Sequence, residues 1–390
     1  MKNTVKMFGI ITLVAVIGFL VAACDGSGSP ARNGGGGAAW TAIPAGPSGS
    51  ALEGGALDWF TGIAYGGNNT FVAVAVSYGR MVRSTDGGVT WTAIPAGNNG
   101  STFPGTGYAD GQISSIGSNG NGYFVAGSRG GAMARSTDGG ATWTAIPAGN
   151  NGSTFSPGND SWINGIASNG SNIFLAGGGV RGQIARSEDS GATWTEIHNT
   201  GLQLHQTIQD IAYGGNNTFV AVAFHGGMAR STDGGATWAA IPAGESIFSM
   251  NNINAIASNG NNIFIAVGNI DQTFVGNTDQ MARSTDGGET WTAIPGGPSG
   301  NTFPLTHHIN DIAYGGGSTF VAVGCHGRMA RSTDGGATWT AIPAGPSGST
   351  FPAEDVHGRG MHGILGIASD GNGSFVAVGA YGRMARRTFE

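Results

Sequence analysis

Short apolar runs separated by glycine-rich turns repeat from about residue 38 to the end of the chain. One repeat shows the pattern, with predicted strands at Ile309 to Tyr314, Phe320 to Val323, Arg328 to Ser332 and Thr338 to Pro343. Short runs bounded by turn residues are typical of β-strands. Four such strands in a unit of about 40–50 residues indicate one blade of a β-propeller.

One motif, S-x-D-x-G-x-T-W, joins the third and fourth predicted strands in six repeats. Ser and Asp side chains bond backbone N–H groups about two residues on, and paired glycines accept positive φ, so the motif predicts a tight turn. A calcium loop is the alternative interpretation. The tryptophan suits packing between neighbouring sheets. Structural roles are assigned to Asp86, Asp138, Asp189, Asp233, Asp286, Asp334, Trp91, Trp143, Trp194, Trp238, Trp291 and Trp339.

The two ends of the chain together complete one more repeat. The C-terminal part supplies three runs, Ile364 to Ala368, Phe375 to Val378 and Arg383 to Arg387, and the N-terminal part supplies a fourth, Ala39 to Pro44. Joining them leaves no open sheet edge. The sequence therefore predicts an all-β fold over residues 38–390: a seven-bladed propeller of four-stranded antiparallel blades, the last closed by the N-terminal strand.

The first residues have the composition of an export signal. A basic start is followed by an apolar stretch to Val21 and then by small residues before Cys24. This order is typical of a secretory signal, and about fifteen apolar residues are short for the alternative, a transmembrane anchor. The ending resembles the bacterial lipobox, which implies removal of residues 1–23, lipidation of Cys24 and a bacterial cell-envelope protein facing periplasm or exterior. Residues 24–37 would form the lipidated Gly/Ser-rich tether.

Charge and cysteine content exclude several functions. Both lysines lie in the predicted signal, so the rest of the chain has 15 arginines against 23 acidic residues and a formal charge of −8. A lysine-free acidic chain argues against nucleic-acid binding and excludes lysine-dependent phosphate loops and Schiff-base chemistry. The only cysteines are Cys24 and Cys325. If Cys24 carries lipid, Cys325 is expected to be a lone thiol.

Seven arginines occupy one repeat position just before the motif. A residue present in every predicted blade belongs to the framework and not to a site. These framework arginines are Arg83, Arg135, Arg186, Arg230, Arg283, Arg331 and Arg386.

The residues that vary between repeats fall in the connections between blades and in the loops between second and third strands. All of these loops would lie on one side of the ring, which we call the top face. The residue before each first strand, which we call the ring position, reads Trp59, Gln112, Trp162, Thr207, Asn252, His308 and Gly363. Seven of the eight histidines also lie in these loops, although loops commonly collect polar residues.

Aromatic and imidazole side chains on one face predict a ligand-binding surface. A metal site from His307, His308, His326, His357 and His362 lacks a defined ligand spacing such as H-E-x-x-H, so no metal and no cofactor are expected. The candidate ligand-binding residues are Trp59, Trp162, His205, His307, His308, His326, His357 and His362.

The repeated motif resembles the Asp-box, or BNR repeat, of the sialidase-type β-propellers. In that group the box lies on the outer edge, away from the active face. The resemblance does not extend to the chemistry, since the first strands here carry no arginine and the Arg-Ile-Pro motif is absent. A glycoside hydrolase remains the alternative, because glycosidases need two carboxylates and acidic pairs are available. Asp210 and Asp311 share one first-strand position, and further acidic residues lie in the top-face loops: Asp58, Asp110, Asp160, Glu354 and Asp355. The xyloglucanase-like enzymes with this box, however, use a cleft between two propellers.

In architecture the chain resembles the single seven-bladed photosystem II assembly factor family, whose members are not catalytic. The arginine-rich patch of that family has no counterpart identifiable in this sequence. We therefore expect a membrane-tethered, monomeric, non-enzymatic scaffold that binds a protein or glycan ligand through its top face.

Overall fold

The computed structural model describes most of the predicted propeller. Described residues are 40–44, 59–76, 78–98, 100–103, 111–148, 154–155, 161–179, 182–203, 206–242, 247–248, 252–269, 279–296, 302–304, 307–345, 349–352 and 363–389, with the backbone of 15 and 16. The predicted signal and tether, Cys24, His205, His357 and His362 lie outside this description apart from the backbone of residues 15 and 16. No helix in the described residues is both long and apolar enough to cross a bilayer.

The first four blades each contain four antiparallel strands in chain order, counted from the innermost. Blade 1 comprises Phe60–Tyr65, Phe71–Ala75, Met81–Ser84 and Thr92–Ile94. Blade 2 comprises Ile113–Ser118, Phe124–Ser128, Met133–Ser136 and Thr144–Ile146. Blade 3 comprises Ile163–Ser168, Phe174–Gly178, Gln183–Ser187 and Thr195–Ile197. Blade 4 comprises Ile208–Tyr213, Phe219–Ala223, Met228–Ser231 and Ala239–Ala240.

The last three blades repeat this order, and the final one borrows a strand from the N-terminal part of the chain. Blade 5 comprises Ile253–Ser258, Phe264–Gly268, Asp279–Ser284 and Thr292–Pro295. Blade 6 comprises Ile309–Tyr314, Phe320–Gly324, Met329–Ser332 and Thr340–Ile342. Blade 7 comprises Ile364–Ser369, Ser374–Gly379, Met384–Thr388 and Thr41–Ile43.

The closure of the ring is the one that the sequence predicts. Thr41 pairs with Arg386 and Ile43 with Met384, which completes blade 7. The innermost strands of blades 7 and 1 are in contact, so the ring is continuous. The prediction of a seven-bladed β-propeller is therefore confirmed. The two-residue strand Ala15–Val16 pairs with the innermost strand of blade 2, but all seven blades are complete without it.

The core lies between adjacent blades. The second strands are buried along almost their whole length, because both faces of each sheet are covered by neighbouring sheets. One cluster joins Val72 and Val74 of blade 1 to Ile113, Phe124 and Trp143 of blade 2. The motif tryptophan thus packs between sheets, as the sequence predicts.

The repeated motif is a self-contained hydrogen-bonded turn. In blade 1, Ser84 Oγ donates to Asp86 Oδ1 at 2.7 Å and accepts the Gly88 N–H at 2.9 Å. Asp86 Oδ1 also accepts the Thr90 N–H at 2.9 Å. This donor lies four residues after Asp86, whereas the sequence predicts a bond about two residues on. Gly87 and Gly88 have φ of 74° and 85°. Because these bonds use the side chains within the turn, the motif is framework.

The framework arginines connect each blade to the next, which the sequence alone does not reveal. Their Nε–H groups donate to a backbone carbonyl in the motif of the following blade at 2.6–2.8 Å. The six pairs are Arg83 with Gly139, Arg135 with Ser190, Arg186 with Gly234, Arg230 with Gly287, Arg283 with Gly335 and Arg386 with Gly87.

The seventh arginine makes a different contact because the motif of blade 7 is split. Arg331 Nε has no hydrogen-bond partner, and its guanidinium lies 4.0 Å from the ring centroid of Phe389. Arg387 lies equally close to the same ring. Phe389 also packs edge-on against Trp40 and Phe375. Aromatic and cation–π contacts therefore replace the motif at the ring closure.

One prediction about the cysteines is wrong. Cys325 is disulfide-bonded in the structure and is not a lone thiol. The only other cysteine of the chain, Cys24, lies outside the described residues. The prediction failed because it was derived from lipidation of Cys24 and not from the position of Cys325.

Candidate functional site

The ring position lies beside the turn between the second and third strands of its own blade. The carbonyl of Trp59 accepts the Val76 N–H at 2.9 Å, and that of Trp162 accepts the Gly179 N–H at 2.8 Å. The carbonyl of His308 accepts the Cys325 N–H at 3.0 Å. These bonds fix the variable side chains at equivalent places on the top face.

Trp59 lies at the junction between blades 7 and 1. Its ring centroid is 6.3 Å from that of Tyr381, which belongs to the turn of blade 7. The guanidinium carbon of Arg383 lies 5.7 Å from the Tyr381 ring centroid. Two aromatic rings and one cation, all half-buried, therefore meet at this junction.

Trp162 occupies the same kind of junction between blades 2 and 3. The guanidinium carbon of Arg129 lies 5.1 Å from its ring centroid, and Arg129 Nη1 donates to Gln112 Oε1 at 3.2 Å. Burial lowers the pKa of Arg129, which nevertheless stays cationic at neutral pH. The two candidate tryptophans belong to separate junctions, each with its own arginine.

Three of the candidate histidines come together in blade 6. The ring centroids of His307 and His326 are 4.4 Å apart, and His307 is only 3% exposed. Burial, followed by the nearby His326, Arg328 and His308, lowers the pKa of His307 to about 4. Burial and His326 also lower the pKa of His308. His307 is thus neutral at neutral pH. Within the described part of the chain, no group of three or more His, Cys, Asp or Glu is arranged to hold a metal ion.

The structure adds a set of residues that the sequence interpretation missed. The turn before the third strand reads Tyr78-Gly-Arg80 in blade 1, His326-Gly-Arg328 in blade 6 and Tyr381-Gly-Arg383 in blade 7. Aligning the repeats on the methionine that begins each third strand would have revealed this shared triplet. In each turn the tyrosine or histidine adopts a left-handed φ of 57–60°.

Buried phenylalanines hold the long inter-blade connections against the ring. Ser349, in the connection from blade 6 to blade 7, donates its hydroxyl to the carbonyl of Gly327 in the turn of blade 6. Ser101 makes the same bond to Gly79 in blade 1. The turns of the top face are therefore packed and bonded rather than loose. The anchoring rings, each at most 4% exposed, are Phe103, Phe155, Phe248, Phe303 and Phe351.

The two first-strand carboxylates of the glycosidase alternative are enclosed in the framework. Asp210 and Asp311 have no exposed surface. Asp210 accepts the N–H groups of Ile211 and Ile256, and Asp311 accepts those of Ile312 and Ile367, at 2.7–2.9 Å. Each carboxyl thus bridges its own blade and the next. Burial raises the pKa of both above the usual range.

Among the described residues, two clefts lie away from the top face, on the outer rim. One of about 420 Å³ lies between Thr292–Pro295 of blade 5 and Trp339 of blade 6. The other, of about 310 Å³, lies between the outer strand of blade 4 and Glu289 of blade 5. Both are lined by framework arginine and motif residues, so they belong to the repeated part of the ring.

Comparison with known proteins places the fold. A family model described as "DUF6242 beta propeller domain" matches residues 164–378. The structure is similar to that of YCF48 bound to D1 peptide, at a TM-score of 0.60 and 17% identity, covering 93% of this chain and 99% of that one. It is also similar to the GH74 enzyme from Niastella koreensis, at a TM-score of 0.59 and 17% identity, covering 89% of this chain but 53% of the enzyme.

A third similar structure is virginiamycin B lyase from Staphylococcus aureus, at a TM-score of 0.59 and 12% identity, covering 86% of this chain and 96% of the lyase. No curated protein sequence matches the chain. At these identities the likeness shows the fold alone, and the similar structures include both enzymes and a peptide-bound protein.

Proposed function

The chain belongs to the DUF6242 β-propeller domain family, and we propose that it is a non-catalytic scaffold whose top face binds a protein or glycan ligand. The fold does not decide this, since one fold serves many functions. The observation that carries the proposal is the concentration of aromatic rings, imidazoles and extra arginines at the ring position and in the adjacent turns. The remainder of the ring repeats one framework sequence.

The placement of these side chains supports binding rather than internal packing. Trp59 and Trp162 are half-buried, so part of each indole remains accessible, and an arginine or tyrosine lies beside it. Aromatic residues and arginine are enriched where proteins contact their partners, and aromatic rings also serve as platforms for sugars. Among the comparisons, the YCF48 structure with a bound peptide offers a precedent for a propeller of this size that holds a peptide.

The glycosidase alternative has weaker support. Two of its candidate carboxylates, Asp210 and Asp311, have no exposed surface and are bonded to backbone amides of two blades each. The other candidates, Asp58, Asp110, Asp160, Glu354 and Asp355, lie outside the described residues. A general acid must reach the glycosidic oxygen directly, so Asp210 and Asp311 fit a structural role better. This chain covers 53% of the length of the GH74 enzyme, so nearly half of that enzyme lies outside the similarity.

We propose in addition that the protein is anchored in a bacterial envelope by a lipid on Cys24. The basic start, apolar stretch and small residues before Cys24 support this. A thioether to lipid uses the sulfur of Cys24, so a lipidated chain cannot also use that sulfur in a disulfide. The anchor and a disulfide between the two cysteines of one chain therefore exclude each other.

The test of the binding proposal is a glycan array together with a pull-down from envelope extracts. The full chain and its Trp59→Ala, Trp162→Ala and His308→Ala variants are compared, with Val89→Ala as a matched control, since Val89 is 54% exposed in a motif turn away from the top face. The proposal expects the three top-face variants to weaken capture, with little loss of stability, while the control does not. A panel of chromogenic glycosides is tested in parallel, and hydrolysis of any of them would contradict the proposal of a non-catalytic scaffold.

A further inference from the structure

The short strand Ala15–Val16 lies in the central channel of the ring. Its residues come within 8 Å, measured between Cα atoms, of the innermost strands of all seven blades, and only the axis of the ring offers such a position. Ala15 is paired with Ile116 and Val16 with Ser115, antiparallel to the innermost strand of blade 2. The channel is therefore wide enough for one extended chain, and the edge of blade 2 accepts that chain as an additional strand.

Two buried carboxylates bond the channel-facing amides of four blades. In blade 5 the N–H of Ile256 donates to Asp210 of blade 4 at 2.9 Å, so the amide at this place in the repeat points away from its own sheet. In blade 7 the N–H of Ile367 donates to Asp311 of blade 6 at 2.8 Å. Each aspartate also accepts the N–H of the residue that follows it, at 2.7 Å. The equivalent amides of blades 4 to 7 are thus all bonded to a carboxylate.

Blades 1 to 3 have no carboxylate for the equivalent amides. At the position of the two aspartates, blades 7, 1, 2 and 3 hold Gly366, Gly62, Ser115 and Gly165. No aspartate of the repeat is therefore placed to accept the channel-facing N–H groups of Ile63, Ile116 and Ile166. Ala15–Val16 lies on the middle one of these three blades and pairs with Ile116 itself. The additional strand is thus found where the repeat leaves the inner edge to a backbone partner.

The wall of the channel favours an uncharged strand. The seven innermost strands, all of them described, contain no Asp, Glu, Lys, Arg or His besides Asp210 and Asp311. Both carboxylates are bonded to backbone amides, and burial raises the pKa of each. Polar side chains of these strands also bond the neighbouring blade, as Thr61 Oγ1 does when it donates to the Ile113 carbonyl at 2.7 Å. A charged ligand residue would give up its water there without gaining a counter-charge from these strands.

We propose that the innermost strands of blades 1 to 3 form a peptide-binding site in the central channel, which takes one extended, uncharged segment of a partner protein as an additional antiparallel strand on blade 2. Ala15–Val16 occupies this site in the unprocessed chain and gives the register of the pairing. Removal of residues 1–23, which the proposed export signal implies, would make the site accessible. Main-chain hydrogen bonds supply the affinity in this mode of recognition. The site is separate from the candidate side chains of the top face.

Strand pairing distinguishes two neighbouring N–H groups of the ligand. Because the Ile116 amide faces the channel, Ala15 and Ile116 form a hydrogen-bonded pair, so the N–H of Ala15 faces blade 2 and that of Val16 faces away. The probe is a fluorescein-labelled peptide with the sequence of residues 12–19 and an ethylene glycol tail for solubility. Methylation of the Ala15 nitrogen should raise Kd about tenfold, because the hydrogen bond is lost and its acceptor stays unpaired. The same methyl group on the Val16 nitrogen is the matched control and should leave Kd nearly unchanged.

Fluorescence polarisation with the chain that lacks residues 1–23 should show saturable binding of the unmethylated peptide. The full chain should bind the peptide much more weakly, because its own strand competes at a high effective concentration.

A substitution in blade 2 tests the same site from the side of the protein. Ser115→Asp places a carboxylate at the position of Asp210, where it would accept the Ile116 amide, and should raise Kd. The carbonyl of Ile163 loses its 2.8 Å bond from Ser115 but keeps its 2.7 Å bond from Ser114. Melting temperatures are measured for every variant, and if Ser115→Asp unfolds at a much lower temperature than the parent, the two methylated peptides decide.

Ala255→Asp is the matched control, since it adds the same charge at the equivalent position of blade 5. The neighbouring amide of blade 6, that of Ile312, is already bonded to Asp311, so Kd should not change.

Hydrogen–deuterium exchange then locates the bound peptide. The peptide should slow exchange in residues 113–118 of blade 2 and leave residues 253–258 of blade 5 unchanged, because Asp210 already holds the Ile256 amide. Absence of peptide binding, equal Kd for the two methylated peptides, equal binding by the full and shortened chains, or protection of blade 5 in place of blade 2 would each overturn the inference.

Discussion

At the scale of single residues, the same position of the repeat holds a small polar residue in one blade and an aromatic or imidazole side chain in another. The ring position holds threonine in blade 4, tryptophan in blades 1 and 3, and histidine in blade 6. The backbone bond that it accepts is the same in all four. The backbone bond is therefore kept while the side chain at the ring position varies.

The buried histidine of blade 6 predicts a pH dependence. The pKa of His307 is about 4 in the folded protein and about 6.5 in an unfolded chain, so between these values the unfolded chain binds more protons. The stability contributed by neutral His307 is full above pH 6.5 and is lost as the pH falls towards 4. In His307→Gln, the free energy of unfolding measured with urea should fall less steeply over this window.

Asp210 and Asp311 affect the pH dependence of stability in the direction opposite to that of His307. Their raised pKa values make stability decline as pH rises above about 3.8, the value for an unperturbed aspartate. The parent protein and the His307→Gln variant both contain Asp210 and Asp311. The difference between their free energies of unfolding at each pH therefore isolates the contribution of His307. Parallel pH profiles for the two proteins would contradict the assignment.

At the scale of elements, blades are joined by side chain-to-backbone bonds as well as by apolar packing. Arg283→Gln removes the 2.7 Å bond to Gly335 and should lower the free energy of unfolding by about 1–3 kcal/mol, because the carbonyl loses its partner. Arg331→Gln is the control, since Arg331 Nε makes no hydrogen bond and only its contact with Phe389 is lost. It should cost about 1 kcal/mol or less. Equal losses would argue against the hydrogen bond as the cause.

The borrowed strand of blade 7 gives a second prediction at this scale. Deleting residues 38–44 removes Thr41–Ile43 and Trp40, exposes the edge at Met384–Thr388 and should strongly reduce solubility or cooperativity of thermal unfolding. Deleting residues 25–37 is the control and should leave the transition unchanged. If the variant lacking residues 38–44 unfolds thermally like the parent protein, closure of blade 7 by Thr41–Ile43 is contradicted.

The sequence predicts elements better than it predicts contacts between them. The count of seven blades and the pairing of the two ends follow from four strands per repeat, which is a local pattern. The bond from Arg83 to Gly139 could not be predicted, because it spans two blades and depends on their spacing. The left-handed φ of Tyr381 was also missed, since local preference favours Gly or Asn at such a position. The disulfide state of Cys325 likewise depends on tertiary proximity.

At the scale of the whole molecule, the protein is a closed ring with two unlike surfaces. The rim is built from motif turns and framework arginines, whereas the top face carries the side chains that vary. The lipid anchor proposed at Cys24 would hold the ring at a membrane. Because lipidation takes up the sulfur of Cys24, intact-mass spectrometry of the exported protein should then show diacylglycerol on Cys24 and an alkylatable Cys325 in place of the disulfide-bonded Cys325 of the unprocessed chain. A disulfide in an unlipidated chain would contradict the anchor.

The most direct test of the central claim is a hydrogen–deuterium exchange footprint of the captured ligand on the protein. We predict that the ligand slows exchange in the top-face turns, at residues 76–81, 325–329 and 380–384, and leaves exchange in the outer strands Thr92–Ile94 and Thr292–Pro295 unchanged. Protection confined to the outer strands or to the rim clefts, with no change in the three turns, would contradict binding through the top face.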